Sequence, residues 1–152
     1  MDNDIGNMLL KGAKELGISL DKNQADKFLL YMELLKTWNE KINLTSVEKD
    51  SDIVIKHFID SLSILPCILS YANVKRPGLM DIGTGAGFPG IPLKIACDNL
   101  DITMLDAVEK KVKFLKECIH LLGLTGINAL HGRAEDYGKD PSYREKFDIS
   151  TA

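Results

Sequence analysis

Apolar positions repeat at helical spacing through roughly the first seventy residues, then break into short runs that alternate with helical stripes. Ile5, Leu9, Ala13 and Leu16 fall three or four apart and predict a first helix, with Gly17 placed to end it. Asp21 followed by Gln24 forms a capping-box pair and predicts the start of a second, long helix. Its apolar face is Ala25, Phe28, Leu29, Met32, Leu35 and Trp38, and it ends between Asn39 and Asn43. Thr45 and Glu48 repeat the capping pattern and predict a third helix from there, with Ile53, Val54, Phe58, Leu62 and Leu65 as its stripe and Pro66 in its last part. Tyr71 to Gly78, with Asn73 and Pro77-Gly78, reads as a linker.

After Gly78 the period changes. Leu79-Met80-Asp81-Ile82 is a short run followed by GTGAGFPG, and a helix is predicted from about Ile91 to Cys97. Ile102 to Leu105 predicts a second strand closed by Asp106. Val108 to Leu122 predicts a helix with Val112, Leu115, Ile119 and Leu122 on one face, stopped by Gly123. Ile127 to His131 reads as a third strand, and Phe147 to Ser150 begins a fourth. Strands alternating with helices across short loops imply right-handed crossovers and a parallel sheet. The expected organisation is therefore a helical region over 1–70 and the first part of an α/β domain over 79–152. A parallel sheet that stops at its fourth strand leaves an apolar edge, so the sheet is expected to be truncated or covered by something else.

Lys plus Arg is 19 and Asp plus Glu is 22, for a net charge of −3, and 45% of residues are hydrophobic. These values exclude a disordered chain and argue against a strongly basic nucleic-acid binder. Cys67, Cys97 and Cys118 are odd in number and widely spaced, which predicts reduced, mostly buried thiols and a cytosolic protein rather than a disulfide framework. MDNDIGNM is acidic and does not resemble a signal peptide, and no stretch is expected to reach the ~20 apolar residues of a membrane helix.

The candidate chemistry begins at Gly83-Thr84-Gly85-Ala86-Gly87, directly after the first strand. Alternating glycines there permit a tight turn and close approach of a ligand to the backbone. Asp106 closes the second strand twenty-three residues after Gly83, where an acid accepts hydrogen bonds from the ribose of an adenosine. Phe88 stands where a dinucleotide fingerprint would place its third glycine. That departure points to S-adenosylmethionine, which has no pyrophosphate, rather than to NAD.

DIGTGAGFPGIPLKI (Asp81 to Ile95), WNEKINLTS (Trp38 to Ser46), KHFIDSL (Lys56 to Leu62), LDAVEKKVKFL (Leu105 to Leu115) and GRAED (Gly132 to Asp136) together resemble the signatures of the glucose-inhibited division protein B family, in order. That family comprises small-subunit ribosomal RNA guanine-N7 methyltransferases. The resemblance implies a Rossmann-like class I methyltransferase fold with an N-terminal helical extension, S-adenosylmethionine as cofactor, and 16S ribosomal RNA or the small ribosomal subunit as partner. It implies that Gly83 and Phe88 line the cofactor, that Gly85 and Gly87 allow close approach, that Asp106 holds the ribose, and that Ala134 and Glu135 flank the adenine. The family usually has serine where this chain has Ala107, and it continues for about another third of its length.

Guanine N7 carries a free lone pair, so methyl transfer to it can rest on alignment of the reactants without a general base. His57, Asp60 and Ser61 share one face if their segment is an α-helix, and form the candidate polar cluster for the substrate; the alternative is that His57 and Asp60 pair to fix the helices on the sheet. Asn39, Asn43 and Thr45 are read as polar contacts or helix-end caps, with Thr45 favoured as a cap. The alternative for Glu135 is a surface acid paired with Arg133. His120 is expected to pack partly buried and His131 to end a strand; the three histidines have no ligand spacing, so no metal is predicted. Lys110, Lys111, Lys113 and Lys116 form the densest basic stretch, either a contact for RNA phosphates or a solvated face. Two other readings are an NAD-dependent oxidoreductase and a catalytically silent domain that binds cofactor or RNA.

Overall fold

The computed structural model describes residues 3–71 and 74–152; Asn73, part of the predicted linker, lies outside them. Helix α1 spans Asn3–Glu15. It ends as expected at Gly17, whose φ of +80° lets the N–H of Ile18 turn back to the Ala13 carbonyl at 2.9 Å. Helix α2, Lys22–Asn39, starts in a complete capping box: the Asp21 carboxylate accepts from the Gln24 N–H and the Gln24 side chain accepts from the Asp21 N–H, both at 2.8 Å. Ala25, Phe28, Met32 and Leu35 are buried on its face as predicted, and Tyr31 joins them.

Thr45 and Glu48 do not open a helix. Residues 45–49 are irregular, and the next helix, α3, runs Asp50–Tyr71 with Lys49 at its cap and no side-chain capping bond. The Thr45 hydroxyl instead accepts from the Val47 N–H at 3.1 Å and bonds the His57 ring, so a partner twelve residues away displaces the local cap. Asn39 folds the chain back before α3, its side-chain oxygen accepting from the N–H groups of Leu44 at 2.9 Å and Thr45 at 3.0 Å.

α3 is not uniformly wound. Val54–Ile59 is a π-helical turn between the α-helical stretches Asp50–Ile53 and Asp60–Leu62, and Leu65–Tyr71 completes the run. The expectation about apolar length also needs correction: Asp50–Tyr71 is 22 residues with mean hydropathy 1.6 over its most apolar window, long and apolar enough to cross a membrane. Ile53, Val54, Phe58, Leu62, Leu65 and Ile68 of this helix are nevertheless buried in the protein core.

Strands β1 (Gly78–Ile82), β2 (Asp101–Asp106), β3 (Ile127–His131) and β4 (Ile149–Thr151) form one parallel sheet in the order β3-β2-β1-β4. The chain steps outward from β1 to β3, then returns to the other side of β1. The strand order therefore reverses between β1 and β4, and in sheets of this kind ligands bind beyond the carboxyl ends of the strands at that point. β4 begins two residues later than predicted. Asp148 instead ties the chain to Gly78, its carboxylate accepting from the Gly78 N–H at 2.8 Å and its own N–H donating to the Gly78 carbonyl at 2.9 Å.

Helices α4 (Gly90–Ala96), α5 (Glu109–Leu121) and α6 (Ala134–Lys139) follow the first three strands. The N-terminal helices and the sheet share one apolar core, bridged for example by Trp38 edge-on to Phe114 at 5.7 Å. Other expectations are corrected at the surface. His120 is exposed, because the buried side of α5 is Val112, Phe114, Leu115 and Cys118. Only Cys118 of the three free thiols is buried, and burial pushes its thiol pKa up; Cys97 is half-buried and Cys67 exposed.

Candidate cofactor and substrate site

The glycine loop is held from beneath by β2. The N–H groups of Gly83 and Thr84 both donate to the Leu105 carbonyl, at 2.8 and 3.1 Å. The next turn is latched by Asp106: one carboxylate oxygen accepts from the Gly85 N–H at 2.8 Å and the other from the Val108 N–H at 2.9 Å. Asp106 is only 7% exposed, yet each of its oxygens keeps a lone pair beyond those bonds. A Cβ built on Gly83 or Gly85 would meet nothing within 4 Å, so this side of the loop is open to a ligand. Gly87 differs: its close neighbours are the protein's own Ile91 and Tyr31.

Asp81 lies inside the loop at 1% exposure. One of its oxygens accepts from the Thr84 hydroxyl at 2.6 Å and from the Gly90 N–H at 2.9 Å, and the other accepts from the Thr151 hydroxyl on β4 at 3.2 Å. It thus joins β1, the loop, α4 and β4 at the point of strand reversal. Burial raises its pKa to about 6 against the opposing pull of those donors, and the charge of Asp106 adds to the rise. Sequence reading passed over Asp81 as one letter of an apolar run; the signal was an acid in the middle of a buried strand.

α3 roofs the other side. Asp60, Ser61 and Ile64 line a hollow of about 360 Å³ with Phe88, Pro89, Thr151 and Ala152. Ser61 is buried and Asp60 exposed. His57 stacks its ring on Phe88, with centroids 4.4 Å apart and planes 11° off parallel, and shares a 2.7 Å hydrogen bond with the Thr45 hydroxyl. The π turn replaces the α-helical spacing assumed for this cluster and places both His57 and Phe58 against Phe88, the latter at 6.3 Å. The Asp60 N–H donates to the His57 carbonyl, but among the described residues no hydrogen bond joins the His57 ring to the Asp60 carboxylate, and the ring bonds Thr45 instead. Burial lowers the His57 pKa, opposed by the charge of Asp60, which favours a neutral ring at pH 7. Thr45→Val removes both bonds of the hydroxyl, to the His57 ring and from the Val47 N–H, and is expected to lower the unfolding free energy by about 2 kcal/mol. A urea midpoint equal to wild type would show that the two bonds together contribute nothing.

Ala134 and Glu135 open α6 after β3. Both are exposed; Ala134 lines a hollow with Met80, Ile82, Leu105 and Tyr137, and among the described residues no ion pair joins Glu135 to Arg133. His131 ends β3, its Nε2 3.1 Å from the Ala107 carbonyl. Lys110, Lys113 and Lys116 are exposed on α5. Among the described residues no three His, Cys, Asp or Glu side chains are placed to share a metal ion.

A parallel sheet of this order, with a glycine loop after β1 and an acid closing β2, has the Rossmann-like fold of methyltransferases. A protein-L-isoaspartate O-methyltransferase from Plasmodium falciparum, crystallised with S-adenosyl-L-homocysteine, overlays 98% of the chain with a TM-score of 0.56 at 16% identity, using 72% of its own length. Another protein-L-isoaspartate O-methyltransferase overlays 95% of the chain and 46% of its own length with a TM-score of 0.54, also at 16% identity. In sequence, the family described as rRNA small subunit methyltransferase G matches residues 24–152, and the chain belongs to it. The ribosomal RNA small subunit methyltransferase G of Acetivibrio thermocellus is 52% identical over 145 residues, 95% of this chain and 58% of that protein. That of Dictyoglomus thermophilum is 47% identical over 152 residues, 100% of this chain and 62% of that protein. The chain thus spans about three fifths of the length of these relatives.

Proposed function

We propose that the chain carries the cofactor half of an S-adenosylmethionine-dependent methyltransferase acting on N7 of a guanine in 16S ribosomal RNA, working in the cytoplasm on the RNA or the small subunit. The observation that carries this reading is the open glycine face beside Asp106, whose remaining lone pairs suit the hydroxyls of a ribose. The family membership and the relatives' names support the reaction and the RNA. When bound, the cofactor supplies an electrophilic methyl group on a sulfonium.

The chain's own residues divide the remaining work. Gly83 and Gly85 leave room for close approach, with Gly87 and Phe88 completing the loop. Asp106 holds the ribose, and Ala134 and Glu135 flank the adenine from the start of α6. Asp60 and Ser61 face the hollow in which Phe88 presents an aromatic ring for a base, and His57 acts through Phe88 by fixing its orientation. No proton has to leave N7 before attack, so the site needs alignment and exclusion of water rather than a base.

Titration calorimetry tests the cofactor. S-adenosylhomocysteine is expected to bind more tightly than NAD, and NAD at equal or better affinity would sink the reading. Asp106→Ala is expected to weaken S-adenosylhomocysteine binding by roughly 1–3 kcal/mol, the cost of leaving buried hydroxyls without a charged acceptor. An unchanged dissociation constant in a folded variant would remove Asp106 from the site.

A further inference from the structure

We propose that Tyr31 is a positioning residue for the glycine loop, so that the N-terminal helices set cofactor affinity through its hydroxyl. The inference rests on the cofactor reading above. Tyr31 stands in the middle of the buried face of α2 at 0% exposure. Its ring stacks on Phe58 at 5.5 Å and 19°, and tilts against Phe88 at 5.7 Å. Phenylalanine would fill the same space without a polar atom to satisfy. A buried hydroxyl is costly unless bonded, so its presence demands a partner. That partner is the carbonyl of Ala86, which accepts the Tyr31 hydroxyl hydrogen between the two glycines.

The fit around this bond is tight. Gly85 and Gly87 have φ of +59° and +99°, and a Cβ on Gly87 would sit 2.8 Å from the Tyr31 oxygen. The loop's other ties run to the sheet, through the Leu105 carbonyl and Asp106 of β2 and through Asp81 of β1, which accepts from the Thr84 hydroxyl. Tyr31 therefore adds a constraint from the opposite side. Farther toward the start of α2, the Gln24 amide donates to the carbonyls of Ile95 and Ala96 at 3.1 and 3.3 Å. α2 thus grips the unit formed by the loop and α4 at both ends, while α3, packed on the same rings, carries His57, Asp60 and Ser61. The shape of the cofactor loop and the placement of the substrate-side cluster are coupled through one aromatic group.

The test uses Tyr31→Phe, with Leu9→Val as a packing control in the same core but away from the loop. Two readouts are taken: the dissociation constant of S-adenosylhomocysteine, and the amide resonances of Gly85 and Gly87 in the ligand-free protein. Tyr31→Phe is expected to raise the dissociation constant about tenfold, the effect of one lost hydrogen bond, and to shift both amides. Leu9→Val is expected to lower the thermal midpoint while leaving constant and amides as in wild type. Wild-type affinity and wild-type amides in Tyr31→Phe would overturn the proposal, as would an equal loss of affinity in Leu9→Val. Absence of S-adenosylhomocysteine binding by the wild-type protein would overturn the cofactor reading itself, and shifted amides in Tyr31→Phe would then still establish the hydroxyl as the loop's anchor.

Discussion

Gly87→Ala is expected to lower the unfolding free energy by about 3–5 kcal/mol and to abolish cofactor binding, whereas Gly85→Ala, two residues earlier, is expected to cost only about 1–2 kcal/mol. Both glycines have a positive φ, +59° at Gly85 and +99° at Gly87, so both substitutions strain the backbone. Space separates them. A Cβ on Gly85 meets nothing within 4 Å, whereas one on Gly87 lies 2.7 Å from Ile91 Cδ1 and 2.8 Å from the Tyr31 hydroxyl oxygen. Ile91 and Tyr31 are themselves fully buried, so neither has room to withdraw. Relief has to come from the loop, which would pull Ala86 away from Tyr31 and Gly85 away from Asp106. Urea denaturation of the two variants provides the measurement. Equal destabilisation would mean that the crowding at Gly87 is absent in solution.

The elements visible in the sequence are those whose signals are local. The start of α2 was legible because Asp21 and Gln24 satisfy each other within one turn, and the end of α1 because Gly17 follows the last residue of its stripe. The parallel sheet was legible because its first three strands are short apolar runs separated by helical stripes. Local signals also misled. Thr45 and Glu48 have the spacing of a cap, but the hydroxyl finds His57 across the loop. The π turn was hidden because Ile53, Val54, Phe58 and Leu62 are an apolar stripe under either winding.

For the candidate site, the loop glycines, Phe88 and Asp106 could be named from order and spacing; in the structure Gly85 bonds Asp106, whereas the Phe88 ring turns to His57. Tyr31 and Asp81 could not be named in the same way. Tyr31 follows Phe28 by three and precedes Leu35 by four, so its burial was readable, but its partner Ala86 lies fifty-five residues away. Asp81 is held by Thr84, Gly90 and Thr151, and the last of these becomes a neighbour only because β4 returns to pair with β1.

That convergence gives Asp81 a measurable signature in the pH dependence of stability. Its pKa is about 6 in the folded protein against an ordinary value of 3.8, chiefly because burial penalises the charge. Between those two values the folded chain binds more protons than the unfolded chain, so stability falls as pH rises. The favourable contribution is complete below about pH 4 and lost on passing pH 6, with a size of about 3 kcal/mol. Protonation need not break the network: the oxygen facing Thr151 can carry the proton, while the other still accepts from Thr84 and Gly90. Asp81→Asn can keep the same three partners, with its amide donating toward Thr151, while removing the ionisation. The expected result is that wild type loses roughly 2–2.5 kcal/mol of stability relative to Asp81→Asn between pH 4 and pH 7, most of the full effect. Titrating groups that do not interact with Asp81 are common to both proteins and cancel in that difference; the coupling to Asp106 is the smallest contribution to the shift. Unfolding free energies measured in urea across the range provide the comparison, and parallel pH profiles would show that the Asp81 pKa is not raised by folding.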